Sequence, residues 1–110
     1  MYNEIDQAVQ LYNQAHSAEE AGKAYIAEVY YLKSWVLFEQ AGESYCTHAA
    51  HALNALAHLR QSYGNFEGAL VSAKKSVQII ESHPGLFASD GALVIRRQAW
   101  ELVKELLTLQ

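Results

Sequence analysis

Apolar and polar residues follow one another along this chain at helical spacing, and no window keeps the period of two that marks a half-buried strand. Alanine, leucine, glutamine, lysine and glutamate, all good helix formers, dominate. Short breaks interrupt the pattern: "AGKA" at 21–24, "AGES" at 41–44, "YGN" at 63–65, "SHPG" at 82–85 and "ASDG" at 88–91. They divide the chain into five helical segments, over roughly 3–21, 24–41, 45–63, 66–82 and 90–108. Linkers this short force consecutive helices to run antiparallel. Gly22, Gly42 and Gly64 stand where a left-handed residue would close a helix. Pro84 stops the fourth helix and pushes His83 out of the helical region.

The second helix carries Ala27, Tyr30, Tyr31, Ser34, Trp35, Leu37 and Phe38, which cover more than one face. It must pack on both sides, against its own partner and against the next pair, which is the condition for a stack of helix pairs. The chain also repeats itself. "GKAYIAEVYYLKSWVLFE" from Gly22 can be laid on "GNFEGALVSAKKSVQIIE" from Gly64, an offset of 42 positions. Gly, Ala, Val, Lys, Ser and Glu recur at that offset, and apolar residues coincide at Trp35/Val77, Leu37/Ile79 and Phe38/Ile80.

This repeat resembles the tetratricopeptide repeat, a helix-turn-helix unit with Trp-x2-Leu-Gly-x2-Tyr in its first helix, then Gly, Ala-x3-Phe and a closing Pro. The second unit carries Leu53, Leu56, Ala57, Gly64, Phe66, Ala69, Ala73 and Ser76 at the matching places, and the first Leu11, Ala15, Gly22, Ala27, Tyr31 and Ser34. Small residues at Ala15/Ala57 and Ala27/Ala69 let paired helices approach, while Leu11/Leu53 and Tyr31 fill the gaps between pairs. The pattern departs from the family where its tyrosine is replaced by Ala18 and Arg60, where its post-turn aromatic is Ala24, and in the displaced Pro84. The 42-residue spacing exceeds the family's usual 34 and is similar to the variant in kinesin light chains. The resemblance implies an all-α superhelix of about five antiparallel helices in one domain over 1–110, with repeats over about 3–41 and 45–82. "WELVKELL" sets Trp100, Val103, Lys104 and Leu107 on the first-helix frame, so 90–108 reads either as half of a third repeat or as a capping helix.

Composition narrows the class. The 110 residues suffice for one folded core, and 51% of them are hydrophobic, which excludes a disordered chain. The single cysteine, Cys46, excludes an internal disulfide framework. No apolar run reaches the roughly 18 to 20 residues of a membrane span, and "MYNEIDQAVQ" lacks the basic and apolar regions of a signal peptide. A cytoplasmic protein is expected. The net charge of −4 argues against nucleic acid or anionic lipid as partner. Residues 1–45 carry −5 and residues 46–110 carry +1, so an acidic end could stack on a basic end of another copy.

In the family that the repeat resembles, the first helices line a concave groove for a peptide or helix of a partner protein. Carried onto this chain, that implies a non-catalytic scaffold binding through Tyr12, His16 and Glu19 of the first unit and His51, Asn54, His58 and Gln61 of the second. Val9, Glu20 and Ser62 share the same face, and the absence of lysine there argues against a clamp for carboxylates. Cys46, His48, His51 and His58 invite a metal reading, but only His48 and His51 keep ligand spacing, and no metal or other cofactor is expected. Phosphate loops, G-x-S-x-G and H-E-x-x-H are missing, so no catalysis is expected. The alternative is a homodimer through Ile95, Leu102, Val103 and Leu106, which have no obvious cover in the sequence.

Overall fold

The computed structural model describes residues 3–109. Five α-helices follow one another: α1 (Glu4–Glu20), α2 (Ala24–Gln40), α3 (Cys46–Ser62), α4 (Phe66–Ser82) and α5 (Asp90–Thr108). The segments drawn from the sequence coincide with these to within one residue at each end. Single turns of 3-10 helix, Glu43–Tyr45 and Pro84–Phe87, lead into α3 and α5. Among the described residues there is no strand, and no helix is long and apolar enough to cross a membrane.

Local chemistry sets the ends. The side chains of Asn3, Asn65 and Ser89 cap α1, α4 and α5 by accepting from the amides of Asp6, Gly68 and Ala92. The first helix of each pair closes in the same way. Lys23 N donates to Ala18 O at 2.9 Å, and Asn65 N donates to Arg60 O at 2.8 Å, the long bond that wraps the last turn of a helix. Each wrap needs a left-handed residue, supplied by Gly22 at φ 78° and Gly64 at φ 89°. A β-carbon there would cost about 1 kcal/mol.

Successive helices pack on one another, α1 on α2, α2 on α3 and α3 on α4, and α5 seats on both α3 and α4. The result is an all-α stack of helix pairs, a slab of 44 × 34 × 20 Å. Ala15 and Ala27 are fully buried in one apolar cluster, and their counterparts Ala57 and Ala69 in another. A third cluster joins Ala8, Phe38, Leu53, Ile79 and Ile80, and Phe87 from the second 3-10 turn completes it. Phe87 escaped the sequence reading because it lies between two breaks, outside any periodic run.

The expectation that Ile95, Leu102, Val103 and Leu106 lie uncovered is corrected. Leu102 and Leu106 are buried among Ala57, Ala69, Leu70 and Ala73, Val103 packs against them, and Ile95 packs on the third cluster. The reason is that the preceding helix pair supplies the cover. Ala92 and Ala99 continue the alanine series Ala8/Ala50 and Ala15/Ala57 and are buried in the cluster that holds Ile79, Ile80 and Phe87. Leu93, Trp100 and Leu107, each seven residues apart, form the exposed stripe instead.

Candidate functional site: the face of the first helices

Two hydrogen bonds latch α1, α3 and α5 side by side. The Tyr12 hydroxyl lies 2.9 Å from Nε2 of His51, joining α1 to α3. Asn54 Nδ2 donates to the carbonyl of Ile95 at 3.0 Å, joining α3 to α5. Beyond them Gln61 Nε2 donates to Glu105 at 3.0 Å. The walls between these helices open into three clefts. One of about 220 Å³ lies between α1 and α3 and is lined by Tyr12, His16, Glu19, His51, Asn54 and His58, with Tyr31 and Gln98 completing it. A second of about 250 Å³ is mostly apolar, between Val9, Tyr12, Phe38 and His48. A third of about 430 Å³ runs between Thr47 and His48 on α3 and Val94, Ile95 and Gln98 on α5. His51 lines all three.

Six of the seven residues expected in the groove therefore share one cleft. Gln61 is not among its lining residues and is tied to α5 through Glu105. Asn54 differs from the expectation in kind. It is only 2% exposed and its amide donor is committed to α5, so it serves as a latch between helices. Its Oδ1 is buried with no hydrogen-bond partner. The sequence reading missed His48 and Gln98. His48 was legible, being one turn before His51 on the same face. Gln98 was not, because its place follows from where α5 seats on α3.

Burial, helped by the neighbouring His48, holds His51 below the ordinary histidine value, so the ring is neutral at neutral pH. Burial and then the negative charge of Glu19 push the Tyr12 hydroxyl up. The Tyr31 hydroxyl donates to Glu19 Oε1 at 2.8 Å and is pushed up more strongly, by burial first and then by that carboxylate. Both phenols stay protonated. Tyr12 meets Tyr31 edge to face at 5.6 Å between ring centres and lies 5.4 Å from the His51 ring. No lysine or arginine lines this cleft. It offers aromatic faces, one carboxylate and neutral acceptors.

Other chemistry has little to stand on. Among the described residues no three His, Cys, Asp or Glu side chains are grouped to hold a metal ion. Cys46 is buried, and burial, then Glu43 and Glu39, push its thiol up, away from the thiolate that attacks. Compared with protein-family models, with curated proteins and with solved structures, the chain matches none.

Proposed function

We propose that this protein is a non-catalytic scaffold of tetratricopeptide type that holds a peptide or helix of a partner protein against the face of α1, α3 and α5. The observation that carries the reading is that three clefts on this face share His51 in their walls. These walls are latched by Tyr12–His51 and Asn54–Ile95, so little ordering is left to be done when a ligand binds. The duplicated helix ends at Gly22 and Gly64 and the 42-residue repeat support the family reading.

The test is a selection of random dodecapeptides displayed on phage against the immobilised chain, followed by fluorescence anisotropy on the selected peptides. A double variant, His51→Ala with His58→Ala, should keep its helical circular dichroism and weaken binding by about tenfold or more, as loss of central contacts does. Equal affinity of a folded double variant would overturn the reading.

One observation favours a second reading, head-to-tail self-assembly. The exposed stripe Leu93, Trp100 and Leu107 on α5 runs beside Arg96, Arg97 and Lys104, while residues 1–45 carry −5. Contact between unlike ends grows openly rather than closing as a dimer. Sedimentation velocity decides it. Association that weakens with salt and is abolished by Trp100→Glu supports stacking, and a monomer at high concentration excludes it.

A further inference from the structure

We propose that the cleft around Glu19 receives the guanidinium of an arginine side chain presented by the bound peptide, an inference that rests on the groove reading above. Glu19 is partly buried at the end of α1, and one of its oxygens is held by the Tyr31 hydroxyl at 2.8 Å. A carboxylate accepts about four hydrogen bonds, so most of its capacity remains for a ligand. Neither lysine nor arginine lines the cleft to neutralise it. Its charge is felt by both neighbouring phenols, whose hydroxyls it pushes up behind the larger effect of burial.

The walls suit a cation in two further ways. The Tyr12 ring has the rings of Tyr31 and His51 within 5.6 Å of its own, and the faces of such rings attract positive charge. Asn54 lines the same cleft, 2% exposed, with an acceptor oxygen that has no partner. The amide cannot be turned around, because its nitrogen is spent on Ile95. An unpaired buried acceptor is unfavourable, and because Oδ1 is closed to solvent a ligand donor relieves it only when the cleft wall gives slightly. An anionic or purely apolar group answers neither Glu19 nor Asn54.

Arginine fits better than lysine. The acceptors belong to separate side chains, Glu19 on α1 and Asn54 on α3. A planar fork of five donors keeps hydrogen bonds for a second acceptor after pairing with Glu19 while its face lies on an aromatic ring, and it is more weakly hydrated than an ammonium. The −5 charge of residues 1–45 adds long-range attraction for a basic segment.

The experiment is a ¹H–¹⁵N titration of the full chain with N-acetyl-arginine methylamide and, in parallel, its neutral isostere N-acetyl-citrulline methylamide. The arginine probe should saturate shifts of the Tyr12 and His51 amides and the Asn54 side-chain amide, and bind about tenfold more tightly than the citrulline probe. Glu19→Gln keeps an acceptor for Tyr31 and so keeps the fold, and it should bring the arginine probe down to the citrulline level. Equal binding of the two probes, shifts elsewhere on the surface, or indifference to Glu19→Gln overturns the proposal. Display-selected peptides separate the two readings. If they lose affinity on the His51/His58 variant but not on exchange of arginine for citrulline, the groove stands and the arginine cleft falls. If they bind outside the groove, the groove reading falls, and the probe titration still decides the cleft.

Discussion

Ser34 and Ser76, 42 residues apart, make the same bond: each buried hydroxyl donates to a backbone carbonyl 26 residues earlier, Ser34 to Ala8 at 2.9 Å and Ser76 to Ala50 at 3.2 Å. The receiving residue is a fully buried alanine in both pairs, which lets the second helix come close enough for the bond. Ser34→Ala and Ser76→Ala should each lower unfolding stability by about 1 kcal/mol. The two bonds share no partner, so the double variant should show the sum of the two losses. Urea denaturation of the three variants checks both statements, and a wild-type midpoint for the double variant would show that the bonds contribute nothing.

How much of this was legible beforehand differs by element. Helix ends were legible because Gly22, Gly64 and Pro84 act locally through backbone conformation. The repeat fixed which faces of α1 and α3 look outward, so Tyr12, His16, His51 and His58 could be placed on one face. The seat of α5 was not legible. That helix has two apolar stripes, one through Ala92, Ile95, Ala99, Leu102 and Leu106 and one through Leu93, Trp100 and Leu107, and periodicity cannot say which of two stripes meets a neighbour. Asn54 shows the same limit in polar form. An amide can serve a ligand or an adjacent helix, and only the approach of the Ile95 carbonyl decides it.

Arg60 marks a place where the two units differ. It stands where the first unit has Ala18, and it ties three helices together: Nε donates to Glu28 on α2 at 2.9 Å, and Nη1 donates to Gly68 O at 3.2 Å and Ser72 Oγ at 2.9 Å on α4. The side chains of the ion pair are 17% and 21% exposed, so water screens it only in part. Arg60→Ala should cost about 2 kcal/mol, less than a fully buried pair would. Arg60→Lys should recover only a part, since an ammonium cannot reproduce the fork. A double-mutant cycle with Glu28→Gln, followed by urea denaturation, measures the coupling, and additive losses would dissolve the link.

The same carboxylate sets an acid limit. Burial pushes the Glu28 carboxyl up, but hydrogen bonds from Tyr63 and Arg60 and the charge of Arg60 outweigh it and hold the group below its ordinary value of 4.5. The unfolded chain therefore takes up the proton first. The stability from Glu28 is complete above 4.5 and is lost as pH falls through the folded-state value. Glu28→Gln should be less stable than wild type near neutral pH, with the difference shrinking on acidification. Urea midpoints across that range test it, and a constant difference would rule this linkage out.

Leu102 and Leu106 separate a core role from a dimer role. Buried against α3 and α4, each should cost about 2–5 kcal/mol on truncation to alanine. Leu107→Ala, at a position 49% exposed, should stay within about 0.5 kcal/mol. Thermal unfolding monitored by circular dichroism gives the order. Leu102→Ala that leaves the melting temperature unchanged but alters the sedimentation coefficient would return this residue to a surface role.

His51 links the groove to pH. Tyr12 faces it from α1 and His48 lies beside it on α3, while His16, Glu19 and His58 line the same cleft and α5 contributes only the neutral Gln98. With its folded value held below the ordinary 6.5, chiefly by burial, the ring takes up a proton more readily in the unfolded chain. Its effect on stability is thus complete above 6.5 and is lost as pH falls through the folded-state value. Protonation also makes Nε2 a donor, so the bond to Tyr12 survives only with the hydroxyl accepting. A positive ring in the wall repels a bound guanidinium, so affinity for the arginine probe should decline over the same interval as stability. His51→Gln, which cannot charge, should flatten its share of both curves. The ¹H shift of the His51 ring, followed against pH, gives the midpoint independently. A midpoint at or above 6.5, or a His51→Gln variant with unchanged pH profiles, would show that this ring does not couple the groove to acid.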